Sequence, residues 1–114
     1  MYRTLDYSKV DWAELAPGLR YRPLLLDQFG AGRIDIAKGT RTEPHQHTDE
    51  QITYVVSGRV TFRVWDAAKV VHTETLLPGM MFGIGSNVLH ELSADEDSTL
   101  VECWSSAERH RSNG

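Results

Sequence analysis

The chain has 114 residues, which sets an expectation of one domain over residues 1–114 with a core large enough to fold without crosslinks. Apolar residues make up 40% and charged residues 25%, and no apolar run approaches the roughly 20 residues that a membrane-spanning helix requires. The formal charge of −4, with arginines scattered rather than striped, speaks against nucleic acid as a partner, and nothing in the composition calls for a membrane.

The opening segment MYRTLDYSKVDW lacks the apolar stretch of a secretory signal, and the single Cys103 has no internal disulfide partner. Both features fit a reducing compartment, so a cytoplasmic protein is expected. Residues 11–15, DWAEL, are expected to form one short helical turn capped by Asp11 and stopped by Pro17-Gly18. After that the helical period disappears. Short runs with a two-residue period follow in chain order: RPLLLDQF, GRIDIAKG, EQITYVVSG, RVTFRVW, KVVHTETL, MMFGIG, VLHELS and STLVECW. Runs of this kind with no helix between them predict an all-β antiparallel barrel or jelly-roll sandwich, its core spanning about residues 20–105. The polar tail from about Ala107 to Gly114 is expected to be loose at its end.

Strand alternation assigns faces. Val60, Phe62 and Val64 share one side of their strand, with Arg59, Thr61 and Arg63 on the other. Near the end, Leu100, Glu102 and Trp104 oppose Thr99, Val101 and Cys103, so that strand is expected to be covered on both sides. Arg33 and Asp35 share a face that either lines a cavity or meets solvent. His72 reads as an ordinary strand histidine and His110 as a solvated one.

The residues with the chemistry of a metal site are His45, His47, Gln51 and His90. On an extended strand, His45 and His47 place both imidazoles on one side, within reach of a single ion. Gln51 keeps the same odd parity, and a turn at residues 48–50 can fold its amide oxygen back toward them. Glu50 has the opposite parity and points away unless the turn slips by one residue. His90 supplies a third nitrogen from a distant strand.

The stretch from Gly39 through HQH, Gln51 and on to Gly58 resembles the first motif of the cupin superfamily, with complete agreement in spacing. The segment PGMMFGIGSNVLH, from Gly79 to His90, is similar to the second motif, with Gly85 and Asn87 where the family usually has proline and glycine. Asn87 can take the left-handed turn conformation that glycine favours. The resemblance implies an antiparallel double-stranded β-helix, the cupin jelly-roll barrel, holding one divalent metal ion such as Zn, Ni, Fe, Mn or Co. Gln51 stands where the commonest cupin pattern has glutamate. With four neutral ligands the ion keeps its full charge, so it polarises oxygen strongly, attracts an anionic small-molecule substrate and favours non-redox chemistry.

Among small cupins, the DEQITYVVSG run and both chain ends most resemble the pectin-degradation (KdgF-like) proteins, which open 4,5-unsaturated uronates to linear keto sugars. Carried over, the resemblance implies lyase- or isomerase-type catalysis with Glu102, Trp104 and Arg109 as catalytic residues, Glu102 replacing the family's aspartate. The residues alone leave two further readings: Glu102 pairing with an arginine such as Arg33, and Trp104 as simple core. Other functions compatible with the barrel are a cupin oxygenase, a polyketide-cyclase-like enzyme and a non-catalytic binding cupin. Small cupins of this kind imply a homodimer that covers sheet edges.

Overall fold

The computed structural model of the protein describes residues 1–111. Nine strands follow one another: β1 Ala13–Ala16, β2 Leu19–Leu25, β3 Gly30–Ile36, β4 Gln51–Ser57, β5 Val60–Trp65, β6 Val71–Leu76, β7 Met81–Ile84, β8 Leu89–Ala94 and β9 Ser98–Trp104. A single 3-10 turn, Glu108–His110, closes the described chain. All pairings are antiparallel, in a six-stranded sheet of order β1-β2-β3-β9-β4-β7 and a three-stranded sheet of order β6-β5-β8. This is the all-β jelly roll that the strand rhythm predicts.

The two sheets face each other because their two-residue period puts one apolar row inward. Along β3 buried and half-buried residues alternate without a break, and β4 begins with buried and exposed residues in alternation. The inward rows of both sheets, among them Leu19, Ile34, Val55, Phe62, Leu92 and Leu100, form the core. At the passage from β4 to β5, Gly58 has a φ of +89°, and a Cβ there would meet the Ser98 side chain and the Asp97 carbonyl. Only glycine fits both demands. Asn87 takes the left-handed conformation, φ +61°, as its amide side chain allows.

Four expectations need correction. Residues 11–15 do not form a helical turn; Ala13–Ala16 is an edge strand registered on β2, with Ala13 opposite Tyr21. Trp12 lies under the Arg20 guanidinium at 4.2 Å, and this cross-strand anchoring overrides a weak local helix signal. The outer face of β9 is not fully covered, since Val101 is 36% exposed. His110 is not solvated but 4% exposed. Glu102 does not pair with Arg33, which bonds Asp35 at 3.0 Å on the outer side of the sheet. The end of the tail, expected to be loose, includes residues 112–114, which lie outside the described residues.

Candidate metal centre and its cavity

Residues 41–45 run beside β8 without forming a regular strand, touching it through Arg41 opposite Ser93 and His45 opposite His90. His45 and His90 exchange both backbone hydrogen bonds, each 2.9 Å, so their side chains leave the same side of the pair. His47, two residues on, joins them, held by a 2.8 Å bond from the Asn87 amide to its carbonyl. The ring centroids stand 4.3, 5.1 and 5.9 Å apart, and one ligand atom from each residue lies within 4.8 Å of the others. Among the described residues, this is the only cluster of histidine, cysteine and acidic side chains able to hold an ion.

The hydrogen bonding sets the tautomers. Nδ1 of His45 faces the Glu43 carbonyl at 2.7 Å, that of His47 the Asp49 carbonyl at 2.8 Å, and that of His90 the Val88 carbonyl at 2.8 Å. A carbonyl only accepts, so each Nδ1 carries the hydrogen and each Nε2 keeps its lone pair. For His47 and His90 that Nε2 is buried with no hydrogen-bond partner. An unmet buried acceptor costs about 1–3 kcal/mol, a demand that a cation held at this point meets. Burial pulls His90 down to about 4, with the Arg109 charge adding, so the ring is neutral and fit to ligate at ordinary pH.

Behind His47 stands Asp49, which the sequence reading missed, paired with Arg109, which it named. Asp49 is 5% exposed and lies 3.1 Å from His47 Nδ1, while Arg109 clasps the same carboxylate with bonds of 3.0 and 3.1 Å. Burial pushes Asp49 up, but the Arg109 hydrogen bonds and charge outweigh it and hold the carboxyl below its ordinary range. The sequence signal was available, because Asp49 shares the parity of His45 and His47.

A cavity of about 100 Å³ adjoins the histidines, with Gln51, Glu102, Trp104 and Arg109 among its walls. Gln51 is buried at the first position of β4, between Trp104 and Ile84 in register. Its amide nitrogen donates to Glu102 Oε2 at 3.2 Å and to Thr53 Oγ1 at 3.5 Å, which leaves the amide oxygen free to face an ion. Glu50 is exposed and its parity takes it away from the cavity. Glu102 also accepts from Thr53 Oγ1 at 2.6 Å and from Trp104 Nε1 at 3.3 Å. Burial raises the Glu102 carboxyl above its ordinary range, and the Thr53 and Trp104 donors and the Arg109 charge oppose this only in part. Trp104 is 1% exposed and is at once core and cavity wall.

A larger, more open depression of about 510 Å³ lies elsewhere, along Arg20, Asp35, Ser98 and Thr99. Its central polar groups engage one another: Asp35 accepts from Arg20 at 2.9 Å and from Thr99 at 3.0 Å. It holds no orphaned buried donor or acceptor, unlike the histidine cavity.

The cupin-domain family model matches residues 32–105, well over half of the chain. The chain belongs to the cupin family. No curated protein matches it by sequence. Among solved structures it is similar to KdgF from Halomonas sp., at 25% identity and a TM-score of 0.77, with 90% of each chain covered. It is also similar to an RmlC-like cupin from Shewanella frigidimarina, at 22% identity and a TM-score of 0.81 over 94% of this chain and 93% of that one. A variant of oxalate decarboxylase from Bacillus subtilis shares 14% identity at a TM-score of 0.81, covering 91% of this cupin but 29% of the decarboxylase. The last two likenesses concern the fold alone.

Proposed function

We propose that this cupin is a metal-dependent, non-redox enzyme of the cytoplasm that opens 4,5-unsaturated uronates, small carboxylate-bearing sugars, to linear keto sugars. The observation that carries the reading is the joint presence of three converging imidazoles with no carboxylate among them and one buried acid, Glu102, in the adjoining cavity. A divalent cation held by His45, His47, His90 and the amide oxygen of Gln51 supplies Lewis acidity toward an anionic oxygen. The resemblance to KdgF-like proteins supports the substrate class.

The reaction is an isomerisation that moves one proton. The hemiacetal hydroxyl loses a proton, the ring carbon–oxygen bond breaks to leave an aldehyde and an enolate, and the enolate carbon gains a proton to leave a ketone. Nothing else enters or leaves. Glu102 suits this task because, among the described residues, it is the only acidic side chain lining the cavity. Thr53, Gln51 and Trp104 fix both of its oxygens. Trp104, buried in the cavity wall, steadies Glu102 through its Nε1, and Arg109, braced on Asp49, brings positive charge to the carboxylate end.

The test is an assay with purified 4,5-unsaturated galacturonate, following loss of its conjugated ultraviolet absorbance. Turnover that vanishes on chelation, returns with a divalent metal and is indifferent to oxygen supports the reading. No turnover by metal-loaded protein overturns it.

We also propose a homodimer. On the outer face of the six-stranded sheet, Ile52, Tyr54, Val56, Met81 and Val101 are exposed side by side on β4, β7 and β9. A patch of this kind calls for cover. A native mass equal to the monomer's at micromolar concentration would refute it.

A further inference from the structure

His110 is the buried titratable group that the proposed reaction does not use. Its ring stacks on Trp104, centroids 3.7 Å apart and planes at 26°, and its Nδ1 meets the Tyr21 hydroxyl at 3.4 Å. Its Nε2 is buried with no hydrogen-bond partner, and the residue lines the same cavity as His45, His90 and Glu102. The turn that carries it is fixed to the β2–β3 hairpin: the Ala107 amide donates to the Gln28 carbonyl at 2.9 Å, and Arg111 donates to the Asp27 carbonyl at 2.6 Å. A firmly placed buried ring with one polar atom unmatched calls for a hydrogen-bonding partner at that atom.

We infer that His110 is a specificity-determining residue whose Nε2 hydrogen-bonds a hydroxyl group of a polyhydroxy carboxylate bound in the cavity. This rests on the reading of the cavity as a site for small carboxylates. Charge sorts the ligand's two ends. The carboxylate is drawn to Arg109 and to the cation that the histidine cluster would hold, which leaves the hydroxyl-bearing part for the uncharged wall of Trp104, Tyr21 and His110. A neutral imidazole suits a hydroxyl better than a carboxylate, because either of its tautomers finds the complementary role in a group that both donates and accepts. Burial keeps the ring neutral, pulling it down to about 4.

The test uses metal-loaded protein with carbon-13 in its histidine rings. D-galacturonate, glycolate and acetate are titrated in turn, and binding is measured by calorimetry for the wild type, His110→Phe and His110→Gln. The His110 resonance is expected to move saturably with galacturonate and glycolate. His110→Phe, which keeps the stack, is expected to bind galacturonate about tenfold more weakly while its affinity for acetate is unchanged. His110→Gln, whose amide reaches the position of Nε2, recovers most of the loss. Equal affinity of His110→Phe and wild type for galacturonate overturns the inference, as does a His110 resonance that no hydroxy acid moves. A resonance that responds to glycolate in a protein that neither binds nor turns over uronates overturns the uronate reading and leaves His110 its role.

Discussion

Nδ1 of His47 lies 3.1 Å from the carboxylate of Asp49, and the ring donates to the Asp49 carbonyl at 2.8 Å as well, so one residue fixes the histidine twice. Arg109 clamps that carboxylate in turn. An outer partner of this kind sets the ring's tautomer and orientation. Asp49→Ala is therefore expected to weaken metal binding by about 10- to 100-fold, read by competition with a chromogenic chelator. Unchanged affinity would mean that His47 is oriented by packing alone, or that it is not a ligand.

Metal removal has a second signature, in stability. A ligand that binds only the folded state at a hundred times its dissociation constant adds about 2.7 kcal/mol. The melting temperature of the chelated protein is expected to rise on adding zinc or nickel, and that rise is expected to vanish in His90→Gln. A variant that still gains the full increment would remove His90 from the ligand set.

Glu102→Gln keeps the shape of the side chain and its contact with Thr53 but abolishes proton transfer. The expected result is a fall in kcat of about 100-fold or more with metal content unchanged. If kcat holds and only KM rises, Glu102 binds the sugar and the proton travels by another group.

Much of this site was legible in the sequence because its chemistry is tied to backbone spacing. His45, His47, Asp49 and Gln51 share one parity in an extended segment, and Gly58 and Asn87 sit where the chain needs a positive φ. Thr53, buried at the same parity, was equally readable as a polar residue on an inward face. The misreadings at β1 and His110 have another cause. Residues 11–15 carry a helix cap signal, yet Trp12 gains more from Arg20 across the strand pair. His110 stands in a polar tail with no periodicity, and a turn back onto Trp104, with contact to Tyr21 from distant β2, makes it interior. Local pattern carries no record of such tertiary contacts.

That burial makes His110 a pH-dependent element of stability, with a definite sign. Its folded-state value is pulled from 6.5 to about 4, mainly by burial and further by the Arg109 charge. Between those values the unfolded chain binds the proton and the folded protein does not, so folding loses ground as pH falls. The contribution is fully present above 6.5, declines below it and is gone near 4. Its size is on the order of 2 kcal/mol, because each tenfold change in proton affinity is worth about 1.4 kcal/mol and solvent screens part of the total. Urea unfolding of the metal-free protein at several pH values between these limits, for wild type and His110→Phe, isolates it. The difference in stability between the two is expected to move against the wild type on acidification. Parallel profiles would show that His110 titrates normally, and that its ring reaches water in solution.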